Sequence, residues 1–337
     1  MSRPAEPVTF ADGLDSPRGL AFGPDGCLYV AEGGRGGTLT TVGECPQVPP
    51  PVGPYCGGLT ARISKIDPGG VRSTVAEGLP SSQSTARSGS LVSGVADVAF
   101  AGATLYALVS GAGCSHGLAG TANGVYRITE DGPAQLLADL GAYRATTRVA
   151  NPDPADDEYD GTWYSMVEVD GELYTIEPNH GELVRVTLDG HLSRLLDISA
   201  SRGHIVPTAI AYRSDVDAFF VGNLGRLPAD PGSAMVLRIG RDGSIAEWAT
   251  GLMTILGLVF DPLGALYVLE NTVCDEPCRP RPNAGRIVRL GDAGSIETVA
   301  SGLMLPTAMT IGPDGALYVS TFGFGPAGAG TIVRLEV

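Results

Sequence analysis

RGLAFGPDGCLYVAE, residues 18–32, returns as TAMTIGPDGALYVST at 307–321, and the two stretches frame nearly the whole chain. In each, an alternating apolar run enters a Pro-Asp-Gly turn and leaves as a second alternating run carrying an aromatic, the signature of a tight β-hairpin. The unit recurs as DVAFAGATLYALVS (97–110), SMVEVDGELYTIE (165–177), TAIAYRSDVDAFFVGN (208–223) and LGLVFDPLGALYVLE (256–270). Its second-strand aromatics are Tyr29, Tyr106, Tyr174, Phe220, Tyr267 and Tyr318. Two further strands around a second turn follow each unit, as in ARISKIDPGGVRSTVAEGL and VLRIGRDGSIAEWATGL. Four strands repeated six times predict an all-β, six-bladed β-propeller of antiparallel four-stranded blades, one domain over residues 1–337. The sixth unit ends after its third strand, TIVRLEV, while PVTFADGL at 7–14 matches the fourth strands STVAEGL and ETVASGL. Residues 7–14 are therefore expected to complete the blade formed by 303–337, removing an open sheet edge.

Composition narrows function by exclusion. A formal charge of -15 argues against nucleic acid, which requires a basic footprint, and against an anionic membrane surface. No apolar run approaches the length of a membrane span. The start, MSRPAEPVTF, lacks the basic and apolar regions of a signal peptide. Six cysteines point the other way: Cys45 and Cys56 bracket a Pro-rich loop, and Cys274 and Cys278 bracket Asp-Glu-Pro. Two such pairs read as local disulfides, so a secreted or periplasmic location is expected, with a cytoplasmic one as the alternative. Cys27 and Cys114 are expected to stay unpaired.

In a four-stranded blade the short turns GPDG, DPGG, LDG and RDG share one face. The long segments 33–60, 79–94, 111–123, 141–164, 199–206, 223–234 and 271–285 share the other, which is the expected working surface. Alignment on the aromatics places Glu32, Val109, Glu177, Asn223, Glu270 and Thr321 where second strands end on that face. Glu32, Glu177, Asn223 and Glu270 are candidate ligands for a divalent cation, Ca²⁺ or Mg²⁺; the bland alternative is that they hold blades together. The equivalent first-strand positions include Arg18, Thr208 and Thr307, candidate ligand-binding residues; Arg18 could hold a substrate carboxylate or pair with Glu32. His180, beside Glu177, and His204 are candidate acid–base groups, and a backbone-bonded loop histidine is the alternative. The loop NPDPADDEYDGTWYS carries five acids between Asp153 and Asp160 and then Trp163 and Tyr164, either a lid with an aromatic floor or a solvated loop anchored by its aromatics. FGFGP at 322–326 offers two more aromatics near the channel, Phe322 and Phe324, with Phe322 the expected ligand contact. No phosphate or dinucleotide fingerprint occurs, so no nucleotide cofactor is expected.

SPRGLAFGPDGCLYVAEGG, EPNHGEL, GHIVPTAIAY, FVGNLG and GLMLPTAM together resemble the ScyD/ScyE family of bacterial propellers, named from scytonemin biosynthesis clusters, over nearly the whole chain. The resemblance implies an exported propeller and no settled reaction. Three readings follow: a protein binding or processing a small organic molecule at the channel mouth, accessory to secondary metabolism; a metal-dependent lactonase or lyase with Glu32, Glu177, Asn223 and Glu270 as ligands and His180 or His204 as base; and a non-catalytic propeller binding protein or glycan.

Overall fold

Asp-Gly turns and period-two apolar runs leave little choice but hairpins. At the first turn Gly26 adopts φ +76°, while Asp25 Oδ1 accepts the Cys27 amide at 3.1 Å. Asp314 repeats the bond to the Ala316 amide at 3.2 Å. The computed structural model describes residues 5–50, 52–84, 91–129, 132–291 and 295–337. Residues 1–4, 51, 85–90 (within the expected 79–94 loop), 130–131 and 292–294 lie outside these.

The N-terminal strand β1 (Val8–Leu14) precedes a first blade of β2 (Pro17–Phe22), β3 (Leu28–Glu32), β4 (Cys56–Ile66) and β5 (Arg72–Gln83), with a short added strand β6 (Val92–Ser93). Blade two is β7 (Val95–Ala101), β8 (Thr104–Val109), β9 (Gly124–Ile128) and β10 (Gln135–Asp139), followed by helix α1 (Leu140–Thr146). Blade three is β11 (Ser165–Val169), β12 (Glu172–Glu177), β13 (Glu182–Val186) and β14 (Leu192–Asp197), followed by α2 (Ser199–Arg202). Blade four comprises β15 (Pro207–Arg213), β16 (Ala218–Asn223), β17 (Ala234–Gly240) and β18 (Ile245–Leu252). Blade five comprises β19 (Ile255–Phe260), β20 (Leu266–Glu270), β21 (Gly285–Leu290) and β22 (Ile296–Leu303). Blade six is β23 (Ala308–Ile311), β24 (Leu317–Thr321) and β25 (Gly330–Leu335), completed by β1 in antiparallel register, Val8 opposite Arg334 and Leu14 opposite Gly330. The fold is the expected six-bladed propeller, closed by the N-terminal strand.

Each gap between neighbouring blades holds one apolar cluster. The second-strand aromatics cross these gaps edge-on: Tyr29 meets Phe100, Phe220 meets Phe260, and Tyr318 meets Phe22, while Phe10 of the closing strand meets Tyr318 within blade six. Among the described residues the innermost strands share no backbone ladder with each other. Side chains bridge them instead, because a buried backbone group without a partner is costly. Asp97 accepts the Met166 amide at 2.7 Å and Ser165 Oγ that of Ile210 at 3.2 Å. Thr208 and Thr307 donate to the Ile255 and Pro17 carbonyls at 2.6 and 2.7 Å. A Cβ on residue 19 would stand 1.8 Å from Asp97 Oδ1, so only glycine leaves that carboxyl its place.

Two cysteine expectations need correction, the Cys45–Cys56 pair and an unpaired Cys114. Cys274 and Cys278 are joined, but Cys45 is joined to Cys114, not to Cys56, and Cys27 and Cys56 are free. Leu39 pairs with Gly57, and the Thr41 hydroxyl bonds the Cys114 carbonyl. The long loop is thereby folded outward onto blade two, while Cys56 is held in the ladder opposite Gln83. Among the described residues no helix is long and apolar enough to cross a membrane.

Two outcomes are expected. Deleting residues 1–14 exposes the edge of β25 and abolishes the cooperative thermal transition; an unchanged melt by circular dichroism would show that closure does not need β1. Under non-reducing conditions, peptide mapping recovers a Cys45–Cys114 pair and alkylation labels half-buried Cys56; a Cys45–Cys56 peptide contradicts the structure.

Candidate functional site

The ring of second-strand ends forms as aligned, yet each member is turned into its own blade. Glu32 Oε2 accepts the Asp15 amide at 2.6 Å, and the carboxylate is gripped by Arg62 at 2.8 Å on both oxygens. Glu270 accepts the Met253 amide at 2.7 Å and pairs with Arg286 at 2.5 Å. Glu177 accepts the Thr162 amide at 2.9 Å and the His180 amide at 2.5 Å. Asn223 bridges the Met235 amide and the Ile205 carbonyl. In all four the side chain staples the segment entering a blade, or the third strand, to the second. Burial pushes the Glu270 carboxyl up despite Arg286. Burial also pushes Glu177 upward, but hydrogen bonds from His180 and Thr162 outweigh it and leave that carboxyl below its ordinary range. Among the described residues no group of three or more His, Cys, Asp or Glu is placed to hold a metal ion.

The acidic loop is not a free lid: its acids are partnered, while Asn151, Pro152, Pro154, Ala155 and Tyr159 stay exposed. Asp153 pairs with Arg226 at 2.5 Å, Asp156 with His204 at 2.9 Å, and Asp157 with Arg144 and His180, the latter at 3.0 Å. Glu158 accepts from Tyr55 at 3.0 Å, and Asp160 accepts from Ser115 at 2.6 Å. Five acids thus fasten one strap to segments of blades one to four.

Beneath the strap, at the loop-face mouth of the channel, lies a cavity of about 570 Å³. Of the expected residues, Arg18, Trp163, Tyr164, Thr208 and His204 border it. Thr208 spends its hydroxyl on Ile255. Thr307 is buried, donating to Pro17 and accepting from Tyr164 at 3.1 Å. Phe322 turns away with φ +55°, and Phe324 takes the position expected for it, its ring 4.9 Å from the Arg18 guanidinium. His180 is locked between Glu177 and Asp157 outside the cavity wall. His204 has Nδ1 on the Asn179 carbonyl at 3.0 Å and Nε2 on Asp156.

Arg18 decides the electrostatics. It is 9% exposed, donates to the Val92 carbonyl at 2.6 Å, and has no carboxylate partner among the described residues, Glu32 being taken by Arg62. Burial lowers its pKa, and the Tyr164 hydroxyl works in the opposite sense. Burial likewise pushes the Tyr164 hydroxyl up to about 12, against the Arg18 charge. The floor of the cavity is therefore an uncompensated cation between aromatic surfaces.

Residue spacing had no means of showing the neighbouring group of Tyr55, His116 and Glu158. Tyr55 and Glu158 border the cavity; His116, stacked on Tyr55 at 4.8 Å between centroids, lies behind. Burial pushes Glu158 up to about 8 and Asp97 to about 7, from ordinary values of 4.5 and 3.8. Desolvation holds His116 down to about 4, from 6.5. Glu158 and Asp97 keep protons in the native state that the unfolded chain has lost, so they make stability fall as pH rises. His116 has the opposite sign, its contribution being lost as pH falls from 6.5 towards 4. Between pH 6.5 and 8 only the carboxyl effect operates. The melting temperature is expected to fall across that interval, and Glu158→Gln to remove roughly 2–4 °C of the fall by calorimetry. A slope identical in the variant contradicts a protonated Glu158.

No protein-family model and no curated protein matches the chain. Solved structures do. A gluconolactonase from Xanthomonas campestris is 14% identical, with 98% of this chain and 90% of that one covered and a TM-score of 0.61. The calcium-binding protein regucalcin from Agrobacterium tumefaciens str. C58 is 13% identical, with coverages of 99% and 94% and a TM-score of 0.58. The PQQ-bound aldose sugar dehydrogenase of Streptomyces coelicolor is 16% identical, with 99% of both chains covered and a TM-score of 0.57. At such identities the likeness is one of fold: the chain shares the propeller architecture of these proteins.

Proposed function

We propose that this propeller, exported and akin to the ScyD/ScyE family, binds or processes a small organic carboxylate at the loop-face mouth of its channel. The observation that carries the reading is Arg18, a buried guanidinium without a carboxylate partner among the described residues, facing a cavity walled by Trp163, Tyr164 and Phe324. A buried charge left unneutralised costs several kcal/mol, and the cost is recovered when a ligand carboxylate completes the pair. The volume of about 570 Å³ suits a drug-sized ligand rather than a flat protein surface. Aromatic walls favour an apolar or aromatic body behind the carboxylate. His204 borders the same cavity with both ring nitrogens engaged, Nδ1 by the Asn179 carbonyl and Nε2 by Asp156, so it contributes to the wall rather than a proton.

Hydrocinnamate is a suitable probe, because Trp163 in the wall reports binding through its fluorescence. Arg18→Gln is expected to weaken binding by about 10- to 100-fold, the worth of a charged hydrogen-bonded pair. The same substitution is expected to leave the melting temperature unchanged or raised, since it removes a buried charge that no carboxylate among the described residues neutralises. Equal affinity in the variant overturns the reading.

A further inference from the structure

The cavity wall holds a second polar group that nothing in the ring or the repeat accounts for. Glu158 is 6% exposed and borders the same cavity as Arg18. Its Oε1 accepts the Tyr55 hydroxyl at 3.0 Å, but its Oε2 has no hydrogen-bond partner. The nearest candidate, His116 Nε2, is 3.7 Å away and also unpartnered. His116 is itself fully buried, with Nδ1 on Ser82 Oγ at 2.8 Å and its ring stacked on Tyr55. Two facing orphans in a desolvated site are a poor arrangement for a carboxylate and an imidazolium, and a good one for a neutral acid and a neutral imidazole.

We propose that Glu158 is a neutral carboxylic acid at the cavity wall, donating a hydrogen bond to a second oxygen of the carboxylate ligand held by Arg18. The inference rests on the anion-binding reading and narrows it: the ligand class becomes an aryl carboxylate bearing a carbonyl. A carboxylic acid oriented by Tyr55 on Oε1 carries its proton on Oε2, which has no acceptor in the empty site because His116 Nε2, at 3.7 Å, is beyond hydrogen-bond distance. A ligand acceptor that reaches Oε2 gives that O–H its first partner. A plain carboxylate without a second acceptor leaves Glu158 where it began and gains nothing from it.

The charged and titratable groups around Glu158 agree. Burial is the main cause that keeps it protonated; the charges of Asp156 and Glu177 add to this, while Tyr55 and His180 oppose it. His116, on the opposite side, is held neutral by desolvation.

The test uses two matched pairs that differ only in a carbonyl, phenylpyruvate against hydrocinnamate and benzoylpropionate against phenylbutyrate, with the whole chain. In the wild type at neutral pH at least one oxo member is expected to bind about tenfold more tightly than its partner, the worth of one net hydrogen bond in a buried site. Glu158→Gln, whose amide still donates, is expected to keep that preference, and Glu158→Leu to lose it. Raising the pH above 8 is expected to abolish it in the wild type but not in Glu158→Gln. An infrared carboxylic-acid carbonyl band at neutral pH, present without ligand and reduced in Glu158→Gln, reads the protonation directly, whether or not Glu158→Leu folds. Equal affinities within both pairs, or a wild-type spectrum that Glu158→Gln leaves unchanged, overturn the proposal for Glu158 and leave the Arg18 site standing. Failure of all four probes to bind the wild type overturns both.

Discussion

The pairing of β1 with β25 is the constraint on which the rest of this molecule depends. Neighbouring blades share no backbone ladder on the inner ring among the described residues, so packing and single side-chain bonds must hold the circle. A circle held that way is stable only if no blade is left with an open edge. The strand that closes it comes from the opposite end of the chain, and it brings the first strand of blade one against blade six. Thr307 donates to the Pro17 carbonyl and Ser320 to that of Arg18 across this seam. Closure therefore also builds the site: Arg18 comes from one side of the seam and Phe324 from the other.

Charge is distributed with a consistent logic around that seam. The chain carries a formal charge of -15, yet the carboxylates of the mouth are committed. Those of the ring staple blade segments, and those of the 151–164 strap are bound to arginines, histidines, hydroxyls and amides of several blades. Buried carboxylates so satisfied have little capacity left for a metal ion. Among the described residues, what remains unsatisfied at the mouth is of the other kind: a guanidinium without a carboxylate, and a carboxyl whose environment favours its neutral form. Both features suit an anionic guest. The low dielectric of the wall raises the energetic stakes of each contact.

The repeat unit, blade boundaries, terminal closure and division into a turn face and a loop face were all legible along the chain. These depend on local period, turn chemistry and the match between PVTFADGL and the fourth strands. The ring of second-strand ends was legible as a position too, but not as a role. Recurrence at one register, Glu32, Glu177, Asn223 and Glu270 alike, is what a shared structural duty produces. Only the placement of Arg62, Arg286 and the amides of Asp15, Met253 and Thr162 showed that duty.

Tertiary structure decided everything that depends on which loops meet. Cys45 reaches Cys114 because the loop folds outward onto the next blade, a choice invisible to spacing. Phe324 rather than Phe322 lies against Arg18, and residue 322 takes a left-handed backbone that only the folded loop reveals. Tyr55, His116 and Glu158 stand far apart in sequence and come together only when the strap crosses the mouth. By itself the sequence determined the propeller, its closure and its loop-bearing face, because these follow from short-range periodicity and turn geometry. The site was decided by the tertiary structure, because burial and pairing, which set the charge state of Arg18 and Glu158, are properties of neighbours that the chain order does not name.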